Sequence, residues 1–322
     1  MKVLIADQFE QSGRDGLAAL GDHIAFEPGL TPESLADAVA TLDPTVLVVR
    51  SKKVKPPAIA AGKSLKLIIR AGAGYDNIDL AAASQRGIAV CNCPGMNTVA
   101  VAELVFGLLI CCDRRIPDQT AELRAGAWNK KEYSRARGLK GLTLGVIGVG
   151  SIGREVVKRA QAFGMSCIAH SLNMNTERAR DLGVTYGGSS NADMLSVVGR
   201  CDAVSVHVAA NRQSEKMCGT AFFGAMKPGA YFINTSRGSV VDEAALANAV
   251  TSKGIRAGLD VFEDEPAEDK VAYSTKLASL PGVYTTHHVG ASTDQAQNAV
   301  AEEVVRIVKV YRSSGEFENR VN

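Results

Sequence analysis

Aromatic residues make up only 5% of the 322-residue chain, with a single tryptophan, Trp128. So few flat side chains argue against the stacking platforms on which single-stranded nucleic acid lies. An excess of one charge is also missing, because 36 Lys and Arg against 34 Asp and Glu leave a net +2. That balance excludes a general polyanion binder or a polybasic membrane-surface protein. Long hydrophobic runs are absent too. The longest, Val99–Cys112, has 14 residues and contains Glu103, whereas a bilayer needs about 20. The first nine residues hold only the apolar run Val3–Ala6, ended by Asp7, too short for a signal peptide. Seven cysteines form an odd set, and neither Cys91-x-Cys93 nor Cys111-Cys112 has the spacing of a zinc knuckle or a thioredoxin motif. Most are expected to be small buried thiols in the cytoplasm, with no metal.

What is present is an ordinary globular composition, 46% hydrophobic and 22% charged, enriched in glycine (31 residues). Its length suggests two domains. Short apolar runs recur at Val3–Ala6, Val46–Val49, Leu67–Ile69, Ile88–Val90, Leu142–Ile147, Cys167–Ala169, Ala203–Val206, Tyr231–Ile233, Ala257–Val261 and Val283–Thr285. Continuous hydrophobicity, without strict alternation, marks strands covered on both faces of a parallel sheet. Helical periodicity falls between them at Pro32–Leu42, Ala100–Cys112, Gly153–Phe163, Asp242–Lys253 and Thr293–Tyr311. The alternation predicts an α/β protein of doubly wound parallel-sheet domains. After Val289 only one long helix and a tail remain, so that helix should pack on an existing domain.

The most specific local pattern is Gly148-Val-Gly150-Ser-Ile-Gly153, between the strand run ending at Ile147 and the helix after it. In that context the first glycine makes a tight turn, the second admits a pyrophosphate and the third lets helix and strand approach. The helix N-terminus then faces the phosphates. A dinucleotide is therefore expected. The acid that holds the ribose hydroxyls of NAD, about 20 residues on, is missing: no acid lies between Glu155 and Glu177, and Ser171 occupies the position. Arg178 and Arg180 follow it and would neutralise a 2′-phosphate. NAD is the expected cofactor, with NADP left open.

Three later strand ends carry charged residues. Asn234-Thr-Ser-Arg237-Gly follows one apolar run, Asp260-Val-Phe-Glu263-Asp-Glu265-Pro another, and Thr286-His287-His288-Val-Gly-Ala-Ser292 a third. Ligand crevices in α/β proteins open at such carboxyl ends. The planar fork of arginine suits a carboxylate, and a carboxylate beside histidine suits proton transfer.

Together with Arg70-Ala-Gly-Ala-Gly-Tyr-Asp-Asn-Ile-Asp79 and Val241-Asp-Glu243, these motifs span nearly the whole chain. The sequence resembles the D-isomer-specific 2-hydroxyacid dehydrogenases, most of all those members that oxidise 3-phosphoglycerate to 3-phosphohydroxypyruvate. The resemblance implies catalytic Arg237, Glu265 and His288. It implies cofactor contacts from Gly148, Gly150, Ser151, Ile152, Gly153, Ser171, Val208, Thr235, Ser236, Asp260, His288, Gly290 and Ala291. Backbone amides at Ala73 and Gly74 would take the substrate carboxylate. The family architecture is a Rossmann-type cofactor domain, here 99–288, inserted in a flavodoxin-like substrate domain, here 1–98 and 289–322. The Val99–Cys112 helix resembles the family's dimer-forming helix, so a homodimer through the 99–140 region is implied. The proline usual before the catalytic histidine is His287 here. The spacing from Glu265 favours His288, with His287 on the opposite side of an extended segment.

Pro44–Tyr75 holds seven basic residues and no acid, and Arg124–Lys140 six with one acid, so the near-neutral total conceals two positive stretches. Arg50 and Arg70 end apolar runs and match positions that hold a substrate phosphate, which favours a small anionic acid. A glyoxylate or hydroxypyruvate reductase is the alternative within the family. A dinucleotide-sensing corepressor is the alternative outside it. The chain stops at Asn322, and the short form without a serine-sensing regulatory domain is expected.

Overall fold

The computed structural model describes residues 1–266 and 270–322. The chain divides into two compact units, one of residues 1–97 and 291–322, the other of residues 98–290. The second is thus inserted in the first.

In the first unit, β1 (Lys2–Ile5), β2 (His23–Phe26), β3 (Val46–Val49), β4 (Leu67–Arg70) and β5 (Ala89–Asn92) form a parallel sheet in the order β2-β1-β3-β4-β5. This is the flavodoxin-like order. Alternate residues of each strand face opposite layers. Val3, Ile5, Val46 and Val48 pack with Leu17 and with Val304, Ile307 and Val308 of the helix Asp294–Ser314. Leu4, Leu47 and Ile68 pack with Leu35, Val39 and Ile59 on the other face. The long final helix therefore belongs to the core of this unit.

In the second unit, β6 (Thr143–Ile147), β7 (Ser166–His170), β8 (Thr185–Tyr186), β9 (Ala203–Val206), β10 (Tyr231–Asn234), β11 (Arg256–Leu259) and β12 (Val283–Thr285) are all parallel, in the order β12-β11-β10-β9-β6-β7-β8. Winding starts at β6 and proceeds first toward β8, then from β9 toward β12. The connections leave the sheet in opposite directions at the β6/β9 boundary, where a crevice opens beyond the carboxyl ends. The helix Thr98–Arg114 buries ten residues, among them Val105, Leu108 and Leu109, against Leu144, Val146, Tyr231 and Ile233 of the sheet. The apolar length of the Val99–Cys112 stretch is thus used inside its own unit. Exposed apolar side chains follow it, at Ile116, Leu123 and Trp128.

The sequence patterns miss β2 and β8. Both are edge strands, with no fully buried residue between them, so neither shows the continuous apolar run of a central strand. All seven cysteines are free, and burial pushes the Cys91 and Cys167 thiols up to about 11. No helix among the described residues is long and apolar enough to cross a membrane.

Candidate active site

The parallel register of β10, β11 and β12 brings their carboxyl ends side by side. At the end of β10, the fully buried Asn234 staples the following turn. Its Oδ1 accepts from the Ser236 N–H (3.0 Å) and hydroxyl (2.7 Å), and its Nδ2 donates to the Arg237 carbonyl (2.9 Å). Arg237 is extended, at φ −144°, and its Nη1 donates to the Ser236 carbonyl at 2.7 Å. Gly238 lies so close to the segment after β11 that a Cβ would sit 1.8 Å from the Phe262 carbonyl oxygen. No other residue type permits this contact.

Asp260, 1% exposed, follows β11. Its carboxylate accepts from Thr286 Oγ1 (2.6 Å), the Val289 N–H (2.8 Å) and the Gly290 N–H (2.8 Å). Its own carbonyl accepts from the His288 N–H at 2.8 Å. One buried residue thus clamps 286–290 by both side chain and main chain. Within this clamp His288 takes φ +52°, a conformation uncommon outside glycine that surrounding bonds must enforce.

The clamp presents His288 to Glu265. Nδ1 donates to Oε2 at 2.7 Å, while Glu265 Oε1 accepts from the Phe262 N–H at 2.8 Å. Burial would raise the Glu265 carboxyl. The His288 hydrogen bond and charge, the Phe262 N–H and the Arg237 guanidinium outweigh that effect and hold it below its ordinary value. Glu265 therefore stays ionised beside an imidazole whose Nδ1 is engaged, and Nε2 is the nitrogen left for proton exchange. His287, one residue earlier, is exposed and has no part in this pair.

The glycine loop lies beyond β6. Gly148 has φ +92°, and a Cβ there would meet the His207 carbonyl oxygen at 2.4 Å. A Cβ on Gly153 would come within 2.2 Å of the Gly148 carbonyl oxygen, whereas a Cβ on Gly150 would meet nothing within 4 Å among the described residues beyond its chain neighbours. Two glycines are demanded by the protein itself, and the third leaves open space. The helix Ser151–Ala162 starts here with no side-chain cap, so its first N–H groups suit an anion. Val208 borders Gly148, and the buried Thr235 Oγ1 has no partner among the described residues. These residues suit a dinucleotide laid across the crevice. Beside Val208, His207 bonds Ser205 Oγ through Nε2 at 2.8 Å, and burial pushes its ring down to about 4.

Arg50, Arg70, Ala73 and Gly74 belong to the other unit. Val49 and Arg70 are register partners, so Arg50 follows one strand directly beside Arg70, which ends its neighbour. Asp7 accepts from the N–H groups of Arg50 (2.7 Å), Ser51 (3.2 Å) and Lys52 (3.0 Å). Asn77 Nδ2 donates to the Lys52 carbonyl at 2.8 Å. The carbonyl of Ala73 accepts from Asn92 Nδ2 at 2.6 Å. Sequence reasoning missed Asn234, Thr286, Asp7 and Asn77. All are short polar residues at strand ends or turns with no spacing signal; Thr286, Asp7 and Asn77 act on partners distant in sequence, whereas Asn234 closes its own turn.

Residues 106–290 match the family described as D-isomer specific 2-hydroxyacid dehydrogenase, NAD binding domain. A D-3-phosphoglycerate dehydrogenase of Methanocaldococcus jannaschii is 39% identical over 96% of this chain and 58% of its own length. The chain thus spans little more than half of that curated relative. A hydroxypyruvate reductase of Thermotoga maritima is 43% identical over 84% of this chain and 85% of its own length. The crystal structure of the TT0316 protein of Thermus thermophilus superposes with a TM-score of 0.88 at 30% identity, covering 100% of both chains.

Proposed function

Since the chain belongs to the D-isomer-specific 2-hydroxyacid dehydrogenases, we propose that it interconverts small 2-hydroxy and 2-keto acids using a nicotinamide dinucleotide, with Arg237, Glu265 and His288 as catalytic residues. Unit 98–290 would hold the dinucleotide and unit 1–97 with 291–322 the acid. When bound, the nicotinamide supplies or accepts the hydride at C2 of the substrate. His288 Nε2 gives the proton to the 2-oxygen in reduction and takes it back in oxidation. Glu265 fixes the tautomer through Nδ1 and stabilises the imidazolium. Arg237 grips the carboxylate and polarises the 2-oxygen, an electrostatic effect typically worth about 10²–10³ in rate. The observation that carries this reading is the 2.7 Å His288–Glu265 pair held on the Asp260 clamp.

For the substrate we favour 3-phosphoglycerate and its keto product, with Arg50 and Arg70 taking the phosphate and the Ala73–Gly74 backbone the carboxylate. A hydroxypyruvate or glyoxylate reductase is the second reading, favoured by a 43%-identical relative covered over 85% of its length. The exposed Ile116, Leu123 and Trp128 support a homodimer through the 99–140 region.

The test is cofactor absorbance with both NADH and NADPH against 3-phosphohydroxypyruvate, hydroxypyruvate and glyoxylate. His288→Ala should cost about 10²–10⁴ in kcat while still binding cofactor, and His287→Ala should stay active. The reverse outcome overturns the His288 assignment. No turnover of any of the three acids overturns the enzyme reading and revives the dinucleotide sensor.

A further inference from the structure

Beyond β7, a pocket opens between Val149 of the glycine loop and the turn Ser171–Asn173, walled by Arg154, Met174 and Arg178. In a dinucleotide fold this is where the second strand of the sheet meets the adenosine ribose. An acid at the Ser171 position would accept bonds from both ribose hydroxyls and would repel a phosphate on the 2′-oxygen. Among the described residues no carboxylate lines the pocket. Two guanidiniums and a hydroxyl stand in its place.

Among the described residues no carboxylate forms an ion pair with Arg154 or Arg178, although the exposed Glu177 precedes Arg178 in the chain. Glu155, adjacent to Arg154, is engaged by Lys158 at 2.5 Å and Arg159 at 2.7 Å. The turn itself holds Arg178. The Asn175 side chain caps the following helix by accepting the Arg178 N–H at 2.9 Å, and the Arg178 guanidinium donates to the Asn173 carbonyl across the turn. Arg154, Arg178 and Arg180 are all exposed, and Arg180, which the sequence offers equally, sits 3.9 Å from Asp181. It does not line the pocket, and Arg154, distant in sequence from Ser171, does.

We propose that this chain prefers a dinucleotide carrying a 2′-phosphate, NADP(H), with Arg154, Ser171 and Arg178 as the residues that select it. The inference rests on the dinucleotide reading of the glycine loop. A 2′-phosphate is largely dianionic at neutral pH, and each guanidinium offers it charge-assisted, potentially bidentate bonds. An unphosphorylated ribose leaves both cations without an anion and offers Ser171 a single neutral hydrogen bond.

Calorimetric titration of the full chain with adenosine 2′,5′-bisphosphate and with AMP tests this, because the two ligands differ only in the 2′-phosphate. The bisphosphate should bind at least about tenfold more tightly at low ionic strength, and the gap should narrow with added salt. Arg178→Ala and Arg154→Ala should each shrink the gap while leaving AMP binding nearly unchanged. Ser171→Asp should reverse it, with thermal unfolding confirming that each variant folds. Fluorescence titration should rank NADPH above NADH in the same proportion. AMP binding as tightly as the bisphosphate overturns the selectivity and leaves the dinucleotide reading intact. A gap untouched by either arginine change overturns the residue assignment. Failure of both ligands to bind overturns the dinucleotide reading and this proposal with it.

Discussion

The carboxyl edges of the two sheets hold their charged residues in different ways. In the seven-stranded sheet two of the proposed catalytic side chains are fastened to each other, Glu265 to His288, on a turn that Asp260 holds. In the five-stranded sheet the fastening runs through the main chain. Asp7 and Asn77 grip the peptide groups of 50–52 and leave the Arg50 side chain outside the grip. The difference follows from the chemistry. A proton is transferred only along one short, aligned path, so the side chains themselves must be fixed. The anion proposed at Arg50 would be held by charge over a broader range of geometry, so fixing the loop would suffice and the cation could adapt.

The largest test of this contrast is Asp260→Ala. Losing a buried carboxylate with three donors should lower stability by about 3 kcal/mol. It should also lower kcat about a hundredfold or more, because His288 no longer faces Glu265. Chemical denaturation and cofactor absorbance read the two effects. A fall in stability with kcat unchanged would break the claim that the clamp serves the chemistry.

Acid should separate the two units next. His207 has its folded value lowered to about 4 from an ordinary 6.5, so between those values the unfolded state binds the extra proton. Stability from this group is complete above about pH 6.5 and falls as pH drops toward 4, by about 3 kcal/mol in total. Glu265, held below its ordinary 4.5, adds stability that is present above that value and is lost as pH falls through its lower folded one. The histidine of the first unit, His23, is exposed. Hydrogen exchange at decreasing pH should therefore show weakening first in 98–290, and His207→Gln should remove that early loss. Equal weakening in both units would contradict the assignment.

The smallest effect expected is that of Asp7→Ala. Loosening the 50–52 loop should raise KM for the acid substrate about tenfold, with kcat changed less than about threefold and a stability loss of about 1–2 kcal/mol. If kcat falls as far as KM rises, the two edges do not differ as described.

Much of the architecture was legible before any coordinates. Continuous apolar runs such as Val46–Val49 and Ala203–Val206 mark central strands because a strand buried on both faces cannot alternate. The edge strands β2 and β8 escaped for the same reason, being half-exposed. At the site, the glycine loop and the order of Arg, Glu and His at successive strand ends could be read from residue type and spacing alone. Local patterns hold that information because turns and strand ends impose residue types within a few positions.

Only the tertiary structure decided the rest. Thr286, Asp7 and Asn77 act on groups that a distant strand end or turn brings to them, and nothing in their own neighbourhood marks them. Sequence spacing favoured His288 over His287 without giving the physical cause, and nothing local chose among the arginines. His288 rather than His287 meets Glu265 because Asp260, 28 residues earlier, bends the chain into a left-handed turn there. Arg154 rather than Arg180 lines the pocket beside Ser171 because a helix start and a strand end meet only when the sheet is wound. Composition and periodicity determined which chemistry the chain could carry. The packing of parallel strands, which couples residues far apart in sequence, decided which side chains are placed to perform it.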